Sequence, residues 1–263
     1  MNRIKCCIKK DFKEYFRTGK IFASIVLCSA IFFLILVSTL VFSNIPDILN
    51  QELKGLDIKN LEELMINLYP KKVLESIGIF AYYIGFFYSM IMIVVVHSIL
   101  PNERKNGRWI LPNEQGYKKM DFVISKCFVY GIMSFASVFI FYMLYFFAAN
   151  IFMEKNMYFS DAFILAFVHG INLFMIIVYT LLMSVWYKSG LFAAISMIGT
   201  VLLVPDIMTY FDFGKYFPTY MLTFVYESQL EYSDLIIPFL INIILIVICY
   251  FISKWKLDKT TGV

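Results

Sequence analysis

Apolar residues along this chain come in long blocks rather than at the short periods of a soluble fold. Six blocks, at about 20–42, 76–100, 122–149, 161–186, 190–204 and 235–252, carry almost no charge, and charged or mixed stretches separate them. A helix needs roughly 20 mostly apolar residues to cross a hydrocarbon core about 30 Å thick. The blocks therefore predict an all-α integral membrane protein with six transmembrane helices. The third block exceeds the required length and predicts a span that tilts or projects into water. Pro101 and Pro205 fall where the second and fifth blocks stop, and proline cannot continue a helix without losing a backbone hydrogen bond.

The stretches between the blocks differ in kind. Residues 43–75 hold Pro46, Pro70 and a Lys/Glu mixture, with a short helix expected at Asn60–Leu68. Residues 101–121 form a compact charged loop, and the turn 187–190 is very short. Residues 206–233 are too interrupted to cross and are expected to rest at the outer interface. Residues 1–19 have a pattern of their own: Ile4, Ile8, Phe12 and Phe16 recur every four positions among Arg3, Lys5, Lys9, Lys10, Lys13 and Arg17. On a helix this makes an apolar stripe flanked by cations, which predicts an amphipathic helix lying in the membrane interface. Phe12, Phe16 and Arg17 would sit at that boundary. A basic, frayed start is the plainer alternative. The segment is not expected to be a signal peptide, whose apolar stretch of about 7–15 residues precedes a small-residue cleavage site.

Composition agrees with the pattern. The chain is 60% hydrophobic, against about 45–50% for an ordinary soluble domain. Six spans and their connections use up all 263 residues, so a single transmembrane domain over 1–263 is expected. The N-terminus, the 101–126 region, the 187–190 turn and the C-terminus hold most of the 23 Lys and Arg but a minority of the 19 acids. Basic loops stay in the cytoplasm, so both ends are expected there. The net charge of +4 then needs no nucleic-acid partner. None of the five cysteines falls in a segment expected outside, which argues against a disulfide framework. Lys far outnumbers Arg, and Ile, Asn and Phe are abundant. That balance fits an AT-rich bacterial genome.

Catalytic constellations are missing from the sequence. His97 and His169 are the two histidines, and H-E-x-x-H, G-x-S-x-G and G-x-x-x-x-G-K-[ST] do not occur. The chain is thus expected to be no enzyme by itself, with no metal site and no bound cofactor. Within the spans, His169 has Asn172 one turn on, so the two face the same way. An ionisable residue in a span is a functional candidate by default; a neutral histidine bonding between packed helices is the alternative. Phe80, Tyr83 and Phe87 are expected to share a face of the second span. Together with His169 and Asn172 they are candidates for a translocation path, although aromatics facing lipid would give the same pattern. Gly190 and Ala194 form a small-x-x-x-small pair that predicts a close helix contact, within the chain or across a dimer. Asn242 is expected to bond between helices.

The most informative stretch is Pro101 to Lys126, PNERKNGRWILPNEQGYKKMDFVISK. A bare connector needs only a few residues. This loop offers Gly107 for a bend and Ile110-Leu111-Pro112 as an apolar knob rimmed by charge, which points to a docking surface. A basic anchor on lipid headgroups is the plainer reading. The order of residues here, Glu103, Arg104-Lys105, Gly107, Ile110-Leu111, Pro112, Tyr117 and Lys126, resembles the type-2 ABC transporter permeases, the membrane subunits of many bacterial exporters. The segment KKDFKEYFRTGK, Lys9 to Lys20, looks like that family's basic connecting helix. Asn106 and Arg108 depart from the family's pattern, as does the Asn113-Glu114-Gln115 insertion.

The resemblance implies a type-2 exporter permease fold. It implies that Glu103, Arg104, Gly107, Trp109, Ile110, Leu111, Pro112 and Tyr117 form a coupling loop seated on a separate ABC ATP-binding subunit, which would hold the ATP and Mg. It also implies a second copy of the chain, or a related permease, as dimer partner. Export of amphipathic or hydrophobic peptides, such as toxins or bacteriocins, or self-immunity against them, is the favoured function. Drug or lipid permeases, and a scaffold or immunity protein that binds without transporting, are the alternatives.

Overall fold

A computed structural model describes residues 2–43, 72–109, 116–187, 189–208, 220–223 and 235–259. Helix α1, Asn2–Arg17, leads into α2, Lys20–Ser43; then come α3, Val73–Lys105, α4, Lys119–Phe152, and α5, Phe159–Trp186. Helix α6, Gly190–Met208, the single turn α7, Tyr220–Thr223, and α8, Ile236–Lys259, complete the described chain. No strand occurs among the described residues. Five helices, α2, α3, α4, α5 and α8, are long and apolar enough to cross a membrane. The chain is a multi-pass helical membrane protein. The fifth predicted block differs from the others: the apolar part of α6, Gly190–Val201, is shorter than a span.

Helices α4 and α5 form the centre. They run antiparallel, and two glycines bring them together reciprocally. A Cβ on Gly131 would lie 2.6 Å from the Phe174 ring, and one on Gly170 would lie 2.7 Å from the Phe135 ring. Each ring thus occupies the space that the missing side chain leaves on the opposite helix. Helices α2 and α8 are peripheral. Phe22, Val26, Phe33, Leu34 and Val37 on α2 are exposed, as are Leu240, Ile244, Phe251 and Trp255 on α8. Apolar side chains pointing out of a bundle are the surface that lipid requires.

The helix ends depart from the sequence expectations at the prolines. Helix α3 does not stop at Pro101 but bends at His97–Ser98 and continues as Ile99–Lys105. Pro101 is in the first turn of that last piece, where its missing N–H costs no helical bond. Helix α6 likewise continues through Pro205 to Met208. Upstream, α3 contains a π turn at Ile84–Tyr88. The wider turn separates a face that the sequence alone would keep together: Phe80 is fully buried, whereas Phe87 is 43% exposed. Within the stretch 206–233 the described turn α7 buries Met221 against the bundle, 3.7 Å from Asn242 Nδ2. The helix expected at Asn60–Leu68 lies outside the described residues.

The two ends of the bundle differ in chemistry. At one, Val73 N donates to Glu154 O at 3.1 Å and Leu74 N to Asn156 Oδ1 at 2.9 Å. At the other, the charged end, α1 packs on the start of α4, and the ends of α3, α5 and α8 come together. Arg104 donates to Tyr187 O at 2.9 Å, and Lys256 donates to Trp186 O.

Candidate functional site

The charged end is organised around Lys126, whose ammonium is buried. It lies 2.9 Å from Asp11 Oδ1, 3.0 Å from Glu103 Oε1 and 3.8 Å from Glu14 Oε2. Three elements therefore converge on one cation: α1 through Asp11 and Glu14, α3 through Glu103, and α4 through Lys126 itself. Ser125 Oγ donates to Asp11 Oδ2 at 2.5 Å, and Arg108 reaches Glu14 at 3.5 Å. Desolvating an ion is expensive, and a buried charge persists only when paired and bonded. Here the carboxylates and the ammonium answer one another.

Local sequence explains how α1 presents this face. Cys7, Asp11 and Tyr15 are spaced by four and are all buried, while Phe12 and Phe16 on the other side are 45% and 42% exposed. The predicted apolar stripe is therefore split: Phe12 and Phe16, with rings 4.9 Å apart, are uncovered with Arg17 exposed beside them, whereas Ile4 and Ile8 are half-buried and Ile8 packs against the core. The docked face is the one that carries Asp11. Burial pushes the Tyr15 phenol up to about 12 and raises the Cys7 thiol, with the Asp11 carboxylate adding to the second shift. Gly19, at φ +72, then turns the chain into α2.

The stem of the loop after α3 is equally defined. Gly107 has φ +66, its N–H donates to Arg104 O at 3.2 Å, and Arg108 N–H donates to Glu103 O at 3.1 Å. This pair of bonds around a left-handed glycine is a Schellman termination, so the bend expected at Gly107 is present with a specific geometry. Trp109 folds back over it. Its indole stacks on Phe122 at 6.1 Å, and Nε1 donates to Glu103 Oε2 at 3.2 Å. Trp109 and Glu103, read from sequence as part of a docking surface, are both buried. Tyr117 is half-buried with its ring 6.1 Å from Phe122, and Arg3 of α1 donates to Gly116 O. Ile110, Leu111 and Pro112 lie outside the described residues.

A second polar group lies in the middle of the bundle. Phe80 stacks on Tyr145 at 4.3 Å and lies 5.8 Å from Tyr142, whose ring is in turn 5.8 Å from that of His169. The candidates Phe80, His169 and Asn172 are thus interior, whereas Tyr83 stacks with Phe87 at 5.7 Å towards the periphery. The Tyr142 hydroxyl, both His169 nitrogens and Asn172 Nδ2 have no hydrogen-bond partner among the described residues. Each such group costs about 1–3 kcal/mol when left dry. Ser134 Oγ of α4 and the Tyr15 hydroxyl are likewise without a partner among the described residues, whereas Ser24 pairs with Tyr88 at 2.7 Å, Ser76 with Tyr145 at 2.6 Å, and Tyr179 with Asn242 O at 2.9 Å.

Gly190 packs against the bend of α3, where a Cβ would lie 2.8 Å from His97 C and closer still to its O. The close contact expected of Gly190 is made within the chain. Sequence reading missed Asp11 and Glu14. Their signal is present: they are the two acids of a strongly basic segment, three residues apart, on the face away from Phe12 and Phe16. Among the described residues no group of three His, Cys, Asp or Glu could hold a metal. No protein-family model matches the chain, and no curated protein does either.

Proposed function

We propose that this chain is the membrane-spanning permease subunit of an ATP-driven exporter of the type-2 ABC kind, carrying amphipathic or hydrophobic peptides out of a bacterial cell. The observation that carries the reading is the convergence of α1, the last turn of α3 and the start of α4 on Lys126. A loop that transmits force from a motor needs a stem that does not yield. Here the stem is terminated by a specific glycine, sealed by Trp109 and tied by ions to two other helices. The chain carries no phosphate loop, so ATP and Mg belong to a separate ATPase subunit seated on the 101–119 loop. A second copy of the chain, or a related permease, completes the pathway.

Six crossings suit this reading. Helix α6 starts beside His97 at the charged end. Helix α8 runs in the same direction as α5, with Asn242 at Tyr179 and Ser253 at Trp186, so it starts at the far end. A crossing by α6 fits these two starting points, and its 19 residues reach about 28 Å at 1.5 Å per residue. With the basic charged end inside, both ends of the chain are cytoplasmic.

The test is affinity purification of the tagged chain from its own host membranes in mild detergent. The expected result is co-purification of an ATPase bearing a phosphate loop, with ATP hydrolysis that depends on both subunits. A chain that purifies without such an ATPase, and leaves the activity of a supplied one unchanged, overturns the proposal.

A further inference from the structure

Four of the buried polar atoms without a partner among the described residues come from Tyr142, His169 and Asn172 on two packed helices. His169 and Asn172 are three residues apart on α5 and share a face. The Tyr142 ring of α4 lies 5.8 Å from the His169 ring at an interplanar angle of 26°. All three residues are sealed from solvent, and their Oη, Nδ1, Nε2 and Nδ2 atoms have no partner among the described residues. Tyr145, one turn along α4, supplies the contrast. It is equally buried, yet its hydroxyl is 2.6 Å from Ser76 Oγ.

Buried polar groups in folded proteins are nearly always bonded, to protein or to ordered water. Hydrocarbon offers them nothing. A phenol donates and accepts, a neutral imidazole does one of each, and an amide nitrogen donates. The guest that answers this set has to donate and accept, and it carries no net charge. The nearest charged positions along α4 and α5 are Lys126 and Asp161, more than one helical turn away from Tyr142 and His169 along their own helices. An ion would find no counter-charge from this set; water satisfies every group in it.

We infer that Tyr142, His169 and Asn172 form an internal hydration site, in which ordered water bridges α4 and α5 at the core of the bundle. The site stands on its own geometry and does not depend on the exporter reading.

Hydroxyl-radical footprinting of the full chain in lipid nanodiscs tests it. The radicals are born from water, so a buried ring is oxidised only where water sits against it. Tyr142 is expected to be modified several-fold faster than Tyr145, and His169→Phe to bring Tyr142 down to the Tyr145 rate. Equal, slow modification of the two tyrosines in the unaltered protein overturns the inference, whatever the variant does. Thermal stability supplies a second reading. In a hydrated site Asn172→Leu removes a bonded group and lowers the melting temperature; in a dry one it removes an orphan and raises it.

Discussion

Lys126 Nζ lies 2.9 Å from Asp11 Oδ1, a pairing across 115 positions of sequence with both side chains out of solvent. The same ammonium faces Glu103 and Glu14. It is the buried cation through which carboxylates of the N-terminal helix and of the end of α3 are held together.

Removing that cation should therefore be more damaging than removing any single acid. Lys126→Met leaves Asp11 and Glu103 buried without their ammonium, and breaking a buried pair costs about 3–5 kcal/mol. The expected outcome is a marked drop in melting temperature of the purified protein, followed by tryptophan fluorescence. Adding Asp11→Asn and Glu103→Gln to that variant should recover part of the loss. No recovery would mean that the ammonium acts through packing and not through charge.

The two adjacent cysteines of α1 should behave oppositely. Cys6 is exposed and Cys7 buried, and burial, with the Asp11 carboxylate adding, raises the Cys7 thiol. The thiolate is the reactive form, and a raised pKa lowers its fraction at any pH near neutrality. In single-cysteine variants, maleimide should label Cys6 readily at neutral pH. Cys7 should react slowly, with its labelling rate rising only as the pH is made alkaline. Equal rates would place α1 away from α4.

Two glycines of α6 make a matched pair. A Cβ at Gly190 would strike the His97 backbone, which cannot move aside as a side chain can, whereas a Cβ at Gly199 meets nothing within 4 Å. Gly190→Ala should cost about 1–3 kcal/mol through overpacking. Gly199→Ala should be neutral or stabilising by about 0.5–1 kcal/mol, because alanine loses less freedom in a helix. Thermal denaturation of the two variants side by side checks the order.

At the centre, Gly170→Ala should destabilise the α4–α5 pair by pushing the Phe135 ring, whose Cδ2 would be 2.7 Å from the new carbon. Phe135→Leu combined with it should restore part of the loss, since the smaller side chain vacates that space. A double variant no better than the sum of its parts would show that the two residues do not meet.

The exporter proposal makes its own prediction at the loop. Ile110→Ala with Leu111→Ala, in a protein that still reaches the membrane, should abolish co-purification of the ATPase or uncouple its hydrolysis from transport. Full transport by that variant would remove the loop from the mechanism.

The spans were legible because lipid imposes a crude requirement: about 20 apolar residues in a row, which Lys20–Ser43 and Phe159–Trp186 satisfy almost residue for residue. Gly107 was legible too, since a loop glycine after a helix has few other uses. The Lys126 cluster was only half visible. Lys126, Glu103 and Tyr117 fall in one stretch, but Asp11 lies 115 positions away from Lys126, and pairing at that distance leaves no local trace. Trp109 was misplaced for a related reason. An aromatic in a charged loop reads as exposed until Phe122 and Glu103 are seen to enclose it. The end of α3 was set about five residues early, at 100 instead of Lys105, because Pro101 was read as a stop, while the break at His97–Ser98 puts it in a first turn.

The wide turn at Ile84–Tyr88 has a reach beyond its five residues. Each residue of a helix advances the winding by about 100°, so trimming one amino acid there would rotate everything downstream. Tyr88 would swing away from Ser24, and Glu103 would no longer point at its ammonium. The aim of the loop after α3 is thus set at a turn well upstream of it in the same helix. A one-codon deletion in that turn should silence the protein while leaving its hydrophobicity profile intact.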